Sequence, residues 1–212
     1  NAPNLETYKV DPNNQKFTSR DSKGNECNCI IDIANKKIIC GAGNYTIPDD
    51  GSVESIGTRA FKCNQHKITL IIPNTIKTLD GWCFERSSLT EVIIPNSIDS
   101  TRIDHGFGEG CFLNCHSLTK ITIKEGLKHI GQSTFYGCTA LKKVSLPDSL
   151  SNDSLDGLFG HCTSLEEVKL PSQLKQIGVQ TFLYCKNLKN IEIPQTLEAI
   201  KSQALANAAN LS

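Results

Sequence analysis

The sequence predicts a repeat solenoid, α/β to mostly β, of about seven right-handed coils of ~23 residues built on short parallel strands, behind an N-terminal hairpin that carries cysteines. Three observations predict it. A phenylalanine recurs at Phe61, Phe84, Phe112, Phe135, Phe159 and Phe182, with Leu205 taking the slot in the last copy, so the spacings are 23, 28, 23, 24, 23 and 23 residues. Each copy runs into a short stretch with apolar residues at alternate positions, such as Ile121–Ile123, Val144–Leu146, Val168–Leu170 and Ile191–Ile193, as a half-buried strand requires. Four cysteines, Cys115, Cys138, Cys162 and Cys185, each lie three residues after the phenylalanine.

Residues 1–41 read as a polar arm followed by a capping hairpin, and residues 42–212 as the repeat array with an incomplete last copy. In the hairpin, CNCIIDIANKKIIC gives two apolar strands around an Ala-Asn-Lys turn. In the array, proline follows the strand at 48, 73, 95, 147, 171 and 194, where its missing N–H ends a ladder; Lys124 is the exception. A second short extended stretch follows, as in Leu127–Ile130 and Leu174–Ile177. Gly57, Gly131 and Gly178, or Asp80, Asp104 and Asp156, then mark a corner at which positive φ is expected. No single coil can bury its Phe, Leu and Ile, so stacking supplies the core.

The clearest copies are IGVQTFLYCKNLKNIEIP at 177–194 and IGQSTFYGCTALKKVSLP at 130–147. Over roughly residues 42–212 they resemble the BspA-like class of leucine-rich repeats, whose units read approximately IGxxAFxxCxxLxxIxIP. That resemblance implies a surface or secreted protein that mediates adhesion or contact. Three copies depart from the pattern: the first has Asn64 at the cysteine slot, the second has Arg86 near it and is one residue short, and the third carries the insertion.

Composition narrows the function by exclusion. The 22 basic and 22 acidic residues balance, so no net field steers the chain to nucleic acid or to an anionic membrane surface. No apolar run reaches the ~18 residues of a membrane span. With no methionine and no signal-like start, the chain reads as a processed or trimmed piece, with any signal or anchor outside it. There is no P-loop, dinucleotide fingerprint, GxSxG elbow or HExxH motif, and no cofactor or metal is expected. A Cys162–His161 nucleophile is conceivable, but adjacent residues point apart and the cysteine slot faces inward.

The cysteines sort by position. Rungs stacked at about 4.8 Å hold successive Cβ atoms farther apart than a disulfide spans, so the four slot cysteines read as buried thiols. Cys83 and Cys111 precede the phenylalanine, where Ala60 and Ala204 stand in other copies, and read as small packing residues. Cys27, Cys29, Cys40 and Cys63 are left as the disulfide candidates. Asn44, Asn152 and Asn210 open N-glycosylation triplets, relevant only to a eukaryotic source.

The outward positions of the strands form one file, Ile71, Ile93, Thr122, Ser145, Lys169 and Glu192, apolar at the N-terminal end and charged at the other. The insertion, residues 99–110, contributes Asp104, His105 and Glu109. The candidate ligand-binding residues are therefore Ile71, Ile93, Thr122, Asp104, His105 and Glu109. The function expected is a non-enzymatic extracellular or cell-surface module that binds a protein or a glycan. The alternatives are a receptor or sensor ectodomain and a non-catalytic targeting domain of a larger secreted enzyme.

Overall fold

A phenylalanine in every ~23-residue unit leaves water only if successive units lay their rings on one another, and the computed structural model shows that stack. It describes residues 5–66, 68–99, 106–151 and 155–208. Phe61, Phe84, Phe112, Phe135, Phe159 and Phe182 are fully buried. Their centroids follow at 5.1, 5.2, 5.6, 5.9 and 5.9 Å with planes within 13° of parallel. Tyr45 continues the file beyond Phe61 at 3.9 Å.

The described residues form thirteen strands and no helix: β1 Phe17–Arg20, β2 Glu26–Asp32, β3 Lys37–Gly41, β4 Ser55–Ile56, β5 Thr69–Ile71, β6 Thr78–Leu79, β7 Glu91–Ile94, β8 Lys120–Ile123, β9 Lys143–Ser145, β10 Glu167–Lys169, β11 Gln176–Ile177, β12 Asn190–Ile191 and β13 Ala199–Ile200. The expected hairpin is β2–β3, antiparallel; β1 adds a third antiparallel strand that the sequence pattern did not announce. The hairpin also joins the repeats, because β3 pairs in parallel with β4, and β4 with β6. Phe107 extends that row by bridging Leu79.

The longer strands of the repeats make a second row, β5-β7-β8 and β9-β10-β12, all parallel. The two groups are not paired with each other, and the shorter-strand row is likewise interrupted between Phe107 and the β11–β13 pair. What continues without a break lies on the loop side. There the N–H groups two before, at and two after each phenylalanine donate to carbonyls of the next unit. Trp82, Phe84 and Arg86 donate to Glu109, Cys111 and Leu113 at 2.8–2.9 Å, and Gly110, Phe112 and Asn114 to Gln132, Thr134 and Tyr136 at 2.7–3.0 Å.

That ladder settles which positions need left-handed backbone. Positive φ falls two residues before the phenylalanine (Arg59, Trp82, Gly110, Ser133, Gly157, Gln180, Gln203) and two after it (Cys63, Arg86, Asn114, Gly137, His161, Tyr184, Asn207). Gly57, Gly131 and Gly178, where positive φ was expected, do not adopt it. Their glycine serves close approach instead: a Cβ on Gly57 would sit 2.7 Å from the Ile38 carbonyl, and one on Gly131 would collide with the Gly108 carbonyl. The cysteine slot holds a serine in one unit. Ser87, not Arg86, occupies it: Ser87 is buried three residues after Phe84, and its hydroxyl lies 3.3 Å from the Cys115 sulfur. Arg86 is exposed in the left-handed position.

Candidate functional site

Strand alternation sorts the sheet residues into two faces. Leu70, Val92, Ile121, Val144 and Val168 point into the core, while the register Ile71↔Ile93↔Thr122 and then Ser145↔Lys169 carries the outward file across the sheet. Ile71 is 63% exposed, the highest value among the exposed large hydrophobic residues. Ile93 is half-buried beside it, and Thr122 is exposed.

Charge at the far end is internally matched. Lys143 meets Glu167 at 2.7 Å, Lys189 meets Glu166 at 2.8 Å, and Lys169 lies 3.9 Å from Asp148. Glu167 raises the pKa of Lys143 through a hydrogen bond and its charge, and Lys189 lowers that of Glu166 in the same way. Exposed pairs of this kind hold register more than they add stability.

At the N-terminal end the sheet opens onto a recess of about 570 Å³ lined by Ile47, Asp49, Ile71, Pro73, Asn74, Thr75 and Lys124, with Ile72 behind. Asp49 and Lys124 have no ion-pair partner among the described residues. The Thr75 hydroxyl is buried without a hydrogen-bond partner. Sequence reasoning picked out Ile71 but missed these neighbours. One signal was present: Lys124 stands where the other repeats have proline.

The insertion joins the stack on another side of the repeat. Asp99 N–H donates to the Lys77 carbonyl at 2.7 Å, Leu79 N–H to Gly106 at 2.6 Å and Gly108 N–H to Leu79 at 2.7 Å. The insertion's base is thus tied to β6 and not to β5 or β7. Its last residues belong to the repeat itself: Phe107 is buried, and the Glu109 carbonyl accepts from Trp82 in the loop-side ladder. Asp104 and His105 lie outside the described residues, as do Asn152 and Asn210. Asn44 is exposed, and its backbone carbonyl accepts from Asn28 at 3.0 Å.

None of the ten cysteines is bridged in this structure. Those of the slot donate backward to the phenylalanine carbonyl of the preceding unit: Cys115 to Phe84 at 3.2 Å, Cys138 to Phe112 at 3.4 Å, Cys162 to Phe135 at 3.1 Å and Cys185 to Phe159 at 3.1 Å. Burial raises the pKa of each. His161 is not bonded to Cys162; its ring lies tilted between those of Tyr136 at 5.0 Å and Tyr184 at 4.7 Å. Cys27 and Cys29 are buried, whereas Cys40 and Cys63 are half-exposed and line one small recess with Tyr8. Burial and the Cys40 thiol raise the Tyr8 pKa to about 12. Among the described residues no three His, Cys, Asp or Glu side chains gather as a metal site, and no helix is long and apolar enough to cross a membrane.

Three solved structures share this arrangement. A leucine-rich repeat protein from Eubacterium ventriosum matches 97% of the chain with a TM-score of 0.75 at 22% identity, over 53% of its own length. A leucine rich cell surface protein from Faecalibacterium prausnitzii matches 94% with a TM-score of 0.64 at 24% identity, over 52% of its length. The chain thus spans about half of each. The Treponema pallidum leucine rich repeat protein matches 66% of the chain, and 63% of itself, with a TM-score of 0.54 at 28% identity. No curated protein matches the chain. The BspA type leucine rich repeat region matches in six copies across residues 39–104 and 105–212. With strands, phenylalanine stack and cysteine slot all following that repeat, the chain belongs to the BspA-type leucine-rich repeat family.

Proposed function

We propose that the chain is a non-enzymatic recognition module of an extracellular or cell-surface protein, and that it binds a partner protein through the sheet face of its first three repeats. The observation that carries this is Ile71, 63% exposed beside half-buried Ile93 and opening onto the 570 Å³ recess. An apolar patch of that kind, left uncovered at one end while the other end neutralises its own charges, is where surplus binding energy resides. Repeats of this type are generally non-catalytic, and one structural relative is described as a cell surface protein. In the same reading the chain forms seven right-handed coils, β1–β3 cap the first, and any disulfides are confined to Cys27, Cys29, Cys40 and Cys63. Residues 99–110, whose base is tied to the β6 side, supply in this reading a second contact for the partner beside the sheet face.

A standard interface needs about 800 Å² per partner, more than one rung offers, so several must contribute. The test is a binding screen against extracellular proteins and glycans with three variants. Ile93→Asp and deletion of residues 100–105 are expected to weaken capture without moving the thermal transition. The deletion stops at 105 because Phe107 and Gly108 are part of the stack. Binding that ignores both variants but fails with Lys143→Glu would move the site to the other end of the sheet.

A further inference from the structure

β5 is the first strand of its row and pairs with β7 alone. In a parallel ladder a residue sends its N–H and its C=O to the same neighbour, and successive residues alternate sides. Ile72 N–H donates to the Ile93 carbonyl at 3.1 Å, and the Ile68 carbonyl accepts from Thr90 at 3.1 Å, so the even-numbered residues face β7. Thr69 and Ile71 therefore turn both backbone groups to the opposite side. The chain one unit earlier does not take them up. Tyr45 N–H bonds to the Gly43 carbonyl at 3.1 Å, Thr46 N–H to the Cys27 carbonyl at 3.0 Å, and Pro48 has no N–H to give.

The recess touches both banks of this gap, with Ile47 and Asp49 on one and Ile71 to Thr75 on the other. Edge strands are ordinarily blunted by a charge, a proline, a bulge or a covering segment. β5 has none of the first three, and its outward side chain, Ile71, is exposed. Three further groups mark a polar occupant that carries charge: the unpartnered Thr75 hydroxyl and, unpaired among the described residues, the Lys124 ammonium and the Asp49 carboxylate.

We propose that the open edge of β5 receives an extended segment of a partner polypeptide as an added strand. The segment bonds to the backbone of Thr69 and Ile71, lays an apolar side chain against Ile71 and Ile47, and brings a carboxylate to Lys124. Backbone pairing supplies the affinity, and the alternate side chains supply the selection. The proposal rests on the reading of the N-terminal sheet face as the binding surface and names how the partner engages it.

The probe is a panel of acetylated, amidated hexapeptides of alternating valine and threonine, with glutamate placed at each position in turn. Binding to the whole chain is read by fluorescence anisotropy. Ile71→Pro removes an N–H that the β5–β7 ladder does not use, so the fold is expected to survive; Ile71→Val keeps that N–H and the branched side chain. Glutamate-bearing peptides should bind, and Ile71→Pro or one backbone N-methyl group at the paired residue should each weaken them by about tenfold or more, the loss expected for one or two hydrogen bonds. Ile71→Val should leave binding nearly unchanged, and Lys124→Glu should reverse the preference toward lysine-bearing peptides. If Ile71→Pro lowers the thermal transition, the N-methyl peptides on the unaltered protein carry the same test.

A panel that shows no binding, or binding indifferent to Ile71→Pro and to N-methylation, overturns the added strand. If a captured protein partner is then still lost on Ile93→Asp, the sheet-face reading stands without it. A partner indifferent to Ile93→Asp but sensitive to Ile71→Pro would do the opposite. A concentration-dependent dimer in sedimentation, abolished by Ile71→Pro, would assign the edge to a second copy of the chain and overturn the partner assignment.

Discussion

Replacing Phe135 with alanine strikes the stack where the two strand rows are both interrupted. Phe135 is fully buried between Phe112 at 5.6 Å and Phe159 at 5.9 Å. Truncating a buried phenylalanine costs about 3–5 kcal/mol, of which each aromatic contact accounts for about 0.5–1.5. Phe182 has one ring neighbour, Phe159, so Phe182→Ala should cost about 1 kcal/mol less than Phe135→Ala by the same reckoning. Location adds a second signature. With β8 and β9 unpaired, the N-terminal and C-terminal repeats meet through the core side chains, the loop-side bonds from Gly110, Phe112 and Asn114, and turn bonds such as Ser151 N–H to the Lys128 carbonyl at 2.8 Å and the Ser149 hydroxyl to the Leu127 carbonyl at 2.9 Å. A cavity there weakens the nearest-neighbour coupling on which a repeat array depends. Urea unfolding followed by circular dichroism and by Trp82 fluorescence should give one coincident transition for the native chain and two separated ones for Phe135→Ala. A destabilisation below about 1 kcal/mol, within the range of ordinary surface changes, would refute the reasoning.

The remaining predictions concern thiols and acid. After denaturation without reductant, at least six thiols should titrate, because the repeat cysteines stay reduced; a smaller number would place a bridge inside the repeats. Cys138→Val should lower the urea midpoint by the equivalent of about 1 kcal/mol for the lost bond to the Phe112 carbonyl, while Cys138→Ser, which copies Ser87 in the second repeat, should cost less; equal losses would show that the thiol acts by packing alone. In the N-terminal hairpin and the turn after it, Asn25 and Asn35 side chains lower the pKa of Asp21 and Asp32, Ser22 and Ser52 hold Asp50 below the usual carboxylate range, and Lys36 lowers Glu54. A folded pKa below the unfolded one gives stability that is complete above about pH 4 and lost as pH falls through the depressed values. Hydrogen exchange corrected for intrinsic rates should therefore show residues 17–54 losing protection in acid before residues 155–200; simultaneous loss would contradict the assignment.

The repeat register was legible because burial leaves a strong periodic mark: phenylalanine, cysteine and alternating strand residues are each constrained by the core. Backbone conformation was less so. Gly57, Gly131 and Gly178 drew attention as candidates for positive φ, yet the left-handed sites hold Arg59, Trp82, Gln180 and Tyr184. Those residues show no local preference for that conformation; the inter-unit hydrogen bonds impose it. The insertion was read as ending at Gly110 because length alone was visible, and only the Leu79–Phe107 bridge shows where the repeat resumes. In the candidate site, Ile71 followed from alternation. The Asp49, Thr75 and Lys124 that surround it come from three different units, and no single-unit pattern brings them together.

The loop-side ladder has an electrical consequence. Within the strand rows each residue points N–H and C=O to the same neighbour, so the peptide dipoles cancel along the stack. On the loop side every bond runs one way, from unit to next unit, ending on Gln180 to Ser202, Phe182 to Ala204 and Tyr184 to Ala206. Over the described residues three lines of aligned dipoles therefore run from unit to unit, with their positive side toward the N–H groups of Gln203, Leu205 and Asn207. As at the first turn of a helix, an anionic group set there should gain about 0.3–1 kcal/mol over a neutral one. A chain with no net charge thus still carries a direction, and an acidic group is favoured beside those N–H groups.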